Sequence, residues 1–142
     1  MYHKILVALE NTSADNSLLP HVAELASKLS SQLLLVHVAD GWAARHFDRL
    51  KLVESEEIKA DRHYLENTAG TLREKGLTVS VQLAMGDPAT EIIKAATDQH
   101  CDLIAMGSHG HRLIGDIILG STIHEVRHRT SIPVLLVRAK GK

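Results

Sequence analysis

The sequence predicts an α/β domain, a parallel β-sheet with helices packed on both faces. Three observations lead there. Short β-rich runs alternate with helix-periodic stretches in the order β-α-β-α-β-α-β-α-β. Two of the runs, Ile5 to Leu9 and Leu33 to Val38, are almost wholly apolar, as strands covered on both sides are. Strand–helix–strand alternation also requires right-handed crossovers, which stack helices on either side of one sheet. A length of 142 residues suits one domain over residues 1–142 and is enough to bury a core without disulfide staples.

Taken in order, Ile5 to Leu9 is the first strand. Leu18, Val22, Leu25, Ala26 and Leu29 then fall on one stripe of a helix. Leu33 to Val38 is the second strand, followed by a long charged helix over roughly Leu50 to Lys75. That helix has Leu65, Ala69 and Leu72 on its inner face and Gly76 as its stop. Thr78 to Leu83 alternates apolar and polar, as an edge strand does. Asp87 and Pro88 supply the N-cap and pre-set first turn of the next helix, with Ile92, Ile93 and Ala96 on its apolar side. Leu103 to Met106 is the fourth strand, a last helix runs from about Gly120 to Arg129, and Pro133 to Val137 is the fifth strand.

Composition narrows the partners. Sixteen Lys and Arg against seventeen Asp and Glu leave a formal net charge of −1, so no broad field draws the chain to nucleic acid or an anionic membrane. The late cluster Arg127, Arg129, Arg138, Lys140 and Lys142 reads as a solvated surface and tail. No apolar run approaches the eighteen or so residues of a membrane span. The start, MYHKILVALE, lacks the basic, apolar and small-residue succession of a signal peptide. Cys101 is the single cysteine, which suits a reducing cytoplasm.

In open parallel sheets, ligands sit beyond the carboxyl ends of the strands where the strand order reverses. The chemistry-bearing segment follows the fourth strand: Gly107, Gly110, then Gly120 and Ser121, spaced G-x2-G-x9-G-S. Gly107 and Gly110 are expected at positive φ, allowing close backbone approach to a ligand. Gly120 and Ser121 are placed where the last helix begins, and the free N–H groups there favour phosphate oxygens. Ser121 and Thr122 add hydroxyls. The same glycines also serve a plain tight connection between strand and helix. No P-loop is present, and the first strand runs into Glu10, Asn11, Thr12 and Ser13 instead of a G-x-G-x-x-G turn, so a dinucleotide site is disfavoured.

The stretches KILVALENTS, GDPATEIIKAA and CDLIAMGSHGHRLIGDIILGSTIHEVRHRTSIPVLLVR resemble the universal stress protein family over about Lys4 to Arg138. The resemblance implies a five-stranded sheet of order 3-2-1-4-5, a homodimer, and, through G-x2-G-x9-G-[ST], the ATP-binding branch. It implies that Ala8, Leu9 and Glu10 end the first strand beside the ligand, that Val38 offers backbone groups to adenine, and that Met106 lies against the nucleotide. Gly107, His109 and Gly110 would line the phosphate loop, and Gly120, Ser121 and Thr122 would hold phosphates. Two positions depart from the family pattern: Glu10 where Asp is frequent, and Ile123 where a small or hydroxyl residue is frequent. The implied cofactor is ATP with Mg²⁺, to which Asp15 and Glu10 are candidate helpers.

Other motifs stand beside this one. His124 to His128 reads H-E-x-x-H, and two histidines four apart share a helix face. No third ligand follows at a zinc-protease spacing, so no catalytic metal is expected. His109 and His111 are candidate phosphate donors. His37, inside an apolar strand, is expected to be a hydrogen-bonded core residue, and His3, His21, His46, His63 and His100 are expected at the surface. Cys101 is expected to act as a small hydrophobe. Trp42 and Phe47 are expected to pin the loop after the second strand, with a ligand lid as the alternative. Under the family's strand order Pro133 to Val137 is an exposed apolar edge, predicting a homodimer through that strand. No carboxylate–histidine–nucleophile arrangement is legible, and phosphoryl transfer needs positioned charges and a metal clamp. The expected function is an ATP-dependent stress-response switch or sensor with at most slow hydrolysis. The alternatives are a nucleotide-independent dimeric interaction module and a nucleotide-hydrolysing or adenylate-forming enzyme on the same fold.

Overall fold

The computed structural model describes residues 1–39, 56–108 and 114–140. Five strands, β1 (Lys4–Ala8), β2 (Gln32–Ala39), β3 (Val79–Met85), β4 (Leu103–Ser108) and β5 (Val134–Arg138), form one sheet of order β3-β2-β1-β4-β5. Every pairing is parallel. The helices are α1 (Asp15–Leu29), α2 (Glu56–Glu74), α3 (Pro88–Asp98) and α4 (Ile114–Arg129). The architecture and strand order are those expected.

The central strand explains its own composition. Ile5 and Val7 pack with Leu18, Val22 and Ala26 of α1 and with Leu65, Ala69 and Leu72 of α2. Leu6 and Ala8 pack on the opposite face with Ala89, Ile92, Ala95 and Ala96 of α3 and Val126 of α4. Successive side chains of a strand point to opposite faces, so a strand with helices on both sides needs an apolar residue at every position. β3 lies at one edge, which accounts for its alternating pattern.

Local signals set the helix ends. Asp87 accepts hydrogen bonds from the Thr90 N–H (3.0 Å) and hydroxyl (2.7 Å), capping α3 ahead of Pro88. After α2, Gly76 adopts φ +91°. Its N–H donates to the Arg73 carbonyl (2.9 Å) and that of Leu77 to the Leu72 carbonyl (3.3 Å), a Schellman closure that only glycine enters without strain.

Three expectations about elements need correction. The last helix begins at Ile114, six residues before Gly120. The segment before Gly120 holds no proline, and Gly115 and Gly120 each cost a helix only about 1 kcal/mol. Gly107 is an ordinary strand residue inside β4 and not at positive φ. Leu29, at the end of α1, is exposed. Residues 50–55, expected to open the second helix, and His46, Trp42 and Phe47 lie outside the described residues.

Candidate functional site

A cavity of about 180 Å³ opens at the carboxyl end of the sheet. Ala8, Leu9 and Glu10 from the end of β1, Val36, His37 and Val38 from β2, and Met106 and Gly107 from β4 form its floor. Pro88 and Ile92 of α3 and Thr122 and Ile123 of α4 form its wall. The chain leaves β1 towards β2 on one side and returns to β4 on the other, so the cavity lies at the point where strand order reverses. Ala8, Val36 and Met106 carry their side chains on the α3/α4 face of the sheet. The lining is therefore apolar, with Glu10 as its carboxylate.

The loop that presents Glu10 is held by a buried polar network. The Asp15 carboxylate, 1% exposed, accepts from the backbone N–H groups of Glu10 (3.1 Å) and Asn11 (2.9 Å) and from the Tyr64 hydroxyl (2.5 Å). Burial, and then the bond to Asp15, push the Tyr64 phenol above its ordinary range. Asn11 sits in the left-handed region at φ 62°, a conformation its short polar side chain tolerates. Its amide donates to Asp61 of α2 at 3.0 Å. The other Asp61 oxygen lies 3.2 Å from Nε2 of His37, whose Nδ1 is 2.8 Å from the Leu9 carbonyl. Residues 9–11 are thus fastened to β2, α1 and α2 at once, while the Thr12 hydroxyl donates to the Glu10 carboxylate at 3.2 Å.

This geometry removes Asp15 as a helper for Mg²⁺. Both its oxygens are occupied and the group is buried, so its work is to shape the loop ahead of α1. Gly107 contributes by lacking a side chain: an added Cβ would meet the Ala14 Cβ at 3.6 Å and a Glu10 carboxylate oxygen at 3.9 Å.

Of the residues singled out from sequence, Ala8, Leu9, Glu10, Val38, Met106, Gly107 and Thr122 come together around the cavity, with Ile123 among them. Ser121 is exposed on α4. Gly120 and Ser121 lie in the body of α4, not at its start. Interior N–H groups are engaged in the helix ladder, so a phosphate held by a free helix terminus at these two residues is not what the fold offers. His109, Gly110 and His111 lie outside the described residues. His37 has the hydrogen bonds expected of it, Cys101 is buried with its thiol pushed up by that burial, and His3, His21, His63 and His100 are exposed. His124 and His128 are exposed on α4 with ring centroids 4.2 Å apart. Among the described residues no group of three or more His, Cys, Asp or Glu is placed to hold a metal.

Sequence reading missed Val36, His37, Pro88 and Ile92 in the cavity and Asn11, Asp61 and Tyr64 beneath it. Signals existed. Val36 is two residues from Val38 and so shares its face. Asp61 stands four residues before Leu65 on the buried stripe of α2, and Asp15 three before Leu18 on that of α1. A carboxylate on an apolar stripe marks a buried polar site.

Comparison with known proteins bears on this geometry. The sequence model of the universal stress protein family matches residues 1–138. The chain is 29% identical over 158 residues to universal stress protein MJ0577 of Methanocaldococcus jannaschii, covering 99% of this chain and 98% of that protein. The solved structure of MJ0577 superposes with a TM-score of 0.82 over 100% of this chain and 99% of its own. A universal stress protein of Archaeoglobus fulgidus, solved in complex with dAMP, is 21% identical with a TM-score of 0.71, covering 96% of this chain and 98% of that one. A universal stress protein solved in complex with cAMP is 17% identical with a TM-score of 0.72, covering 98% of both chains. The last two likenesses establish a common fold.

Proposed function

The chain belongs to the universal stress protein family, and we propose that it binds an adenine nucleotide, ATP, in the cavity at the carboxyl end of its sheet. The observation that carries this reading is the position of that cavity. It is an apolar recess at the strand-order reversal, floored by Ala8, Val36, Val38 and Met106 and edged by the Glu10 carboxylate. Apolar walls with a few placed polar groups are what a small-molecule site requires. Two proteins of the same fold were solved with dAMP and with cAMP, which supports an adenine ligand. A volume of about 180 Å³ suits the base end of the nucleotide. The phosphates then lie outward, over the end of β4, where Gly107, His109, Gly110, Gly120, Ser121 and Thr122 are the family's counterpart positions, with Mg²⁺ on the phosphates.

The described residues present no nucleophile–base pair at the cavity, and the proposed role is a cytoplasmic stress-response switch or sensor with at most slow hydrolysis. The partner of first resort is a second copy of the chain. β5 is an edge strand carrying exposed Leu136, and edge pairing through residues 133–137 would cover it. Light scattering at micromolar concentration should show a dimer for the wild type and a monomer for Leu136→Lys; a wild-type monomer overturns the pairing.

The nucleotide reading is tested by thermal-shift titration of the tag-free protein with ATP and Mg²⁺, with GTP and AMP in parallel. A ligand at a hundred times its Kd stabilises the native state by about 2.7 kcal/mol, raising the melting temperature by several degrees. A saturable shift with ATP that is lost in Gly120→Val supports the switch. No shift in nucleotide-free protein at millimolar ATP rejects it in favour of the dimeric interaction module.

A further inference from the structure

We propose that Arg138, the last residue of β5, is the cation that recognises the nucleotide's phosphates; this rests on the adenine-nucleotide reading above. Three observations place it there. First, the register pairs Ser108 of β4 with Arg138 of β5, directly after Met106 with Leu136. Paired residues are one strand spacing apart, about 4.8 Å, and carry their side chains on the same face of the sheet. Ile104, Met106 and Val134 belong to the cavity face, whereas Ala105, Leu135 and Val137 belong to the other. Alternation therefore puts Ser108 and Arg138 on the cavity face, one step beyond Met106.

Second, the chain is fixed in that position past the strand's end. The Ala139 N–H donates to the Ser108 carbonyl at 2.7 Å, and the Lys140 N–H donates to the Ser17 hydroxyl at 3.0 Å. Arg138 thus has a defined origin beside the exit from β4, not a free tail.

Third, the charge at the site calls for it. Among the described residues the cavity is lined by the Glu10 carboxylate and by no Lys or Arg, while a triphosphate brings several negative charges to the same crevice. Of the other described basic residues on this face, Arg129 is engaged by Asp87 (3.7 Å) and Glu125 (3.8 Å). Lys94 and Arg127 stand on the exposed sides of their helices. Arg138 is exposed, and its guanidinium makes no ion pair or hydrogen bond with the described residues. A planar guanidinium binds phosphate oxygens in pairs, which neither Thr122 nor a glycine backbone can replace.

The assignment separates two halves of one ligand, so its test uses both. Isothermal titration calorimetry of the full chain with ATP, AMP and adenosine should show Arg138→Ala losing about tenfold in ATP affinity, less for AMP, and nothing for adenosine. Arg138→Lys should recover part of the ATP loss, and the salt dependence of ATP binding should be shallower in Arg138→Ala. If Arg138→Ala binds ATP as tightly as the wild type, the assignment is wrong while the nucleotide site stands. If ATP and adenosine weaken together, Arg138 is structural and the assignment is equally wrong. If the wild type binds neither, the nucleotide reading itself falls and takes this inference with it.

Discussion

His37 of β2 and Asp61 of α2 meet at 3.2 Å, Nε2 to Oδ2, while the other ring nitrogen of His37 lies 2.8 Å from the Leu9 carbonyl. A carbonyl only accepts, so Nδ1 is the donor to Leu9 and Nε2 is the ring nitrogen that faces the carboxylate. The pair ties the end of the central strand to a helix packed on the far face of the sheet from the cavity. The cavity's floor and α2 are therefore mechanically joined through residues 9–11.

That joint predicts a ranking of variants. Asp61→Ala strips the acceptor from both Asn11 and His37 and should cost about 2–3 kcal/mol in urea denaturation. At Asn11, φ 62° is easy for glycine and costly for alanine. Asn11→Ala should therefore be less stable than Asn11→Gly, although both lose the same bond to Asp61. Equal stabilities would show that the left-handed turn is not held at this residue.

Tyr64 gives a pH signature. Its phenol is raised above the ordinary value by burial and by donation to Asp15, so the folded protein keeps the proton after the unfolded chain has lost it. The stabilisation is complete below the unfolded value of about 10 and declines as pH rises above it towards the folded value. Tyr64→Phe should lose about 1–2 kcal/mol at pH 7 and show a flatter decline in alkali. Absorbance titration of tyrosinate should lose its late-ionising component in the same variant.

At the opposite extreme of pH, Asp87 reports on α3. Donation by the Thr90 hydroxyl and then by the Thr90 N–H holds its carboxyl below the usual range. A depressed carboxylate contributes above its unfolded value, about 3.9, and the contribution vanishes as pH falls through the folded value. Asp87→Ala should cost about 1 kcal/mol at pH 7, the ordinary loss of an N-cap. Melting curves of variant and wild type should converge near pH 2.

Gly107 separates fold from site. A methyl there meets Ala14 and Glu10 at ordinary contact distance, so Gly107→Ala should fold within about 1 kcal/mol of the wild type. The branched side chain of Gly107→Val has to displace the Glu10 carboxylate and should weaken nucleotide binding. Undiminished ATP affinity in Gly107→Val would remove Glu10 from the site.

What the sequence determined by itself was everything that depends on local periodicity. An apolar residue at each position of Ile5 to Leu9 demands two covered faces, and the alternation of Thr78 to Leu83 suits an edge. The pair Asp87–Pro88 and the single Gly76 mark helix ends, because capping and φ are decided within a few residues. The glycine spacing and the resemblance it carries named the region of the site. Boundaries were less legible. Gly120 is not where the last helix starts, because a helix takes an interior glycine as a small penalty and this one runs back through Gly115 to Ile114.

Only the tertiary structure decided which polar groups meet. Asn11 and Asp61 are fifty residues apart, Tyr64 and Asp15 forty-nine, and Ser108 and Arg138 are neighbours solely through strand register. Such contacts follow from strand order and from which face each residue takes, and a one-residue change of register would turn each side chain to the other face. Chain-local rules shaped the elements of this protein; the long-range packing of the sheet brought Glu10, Met106, Thr122 and Arg138 to one end of it.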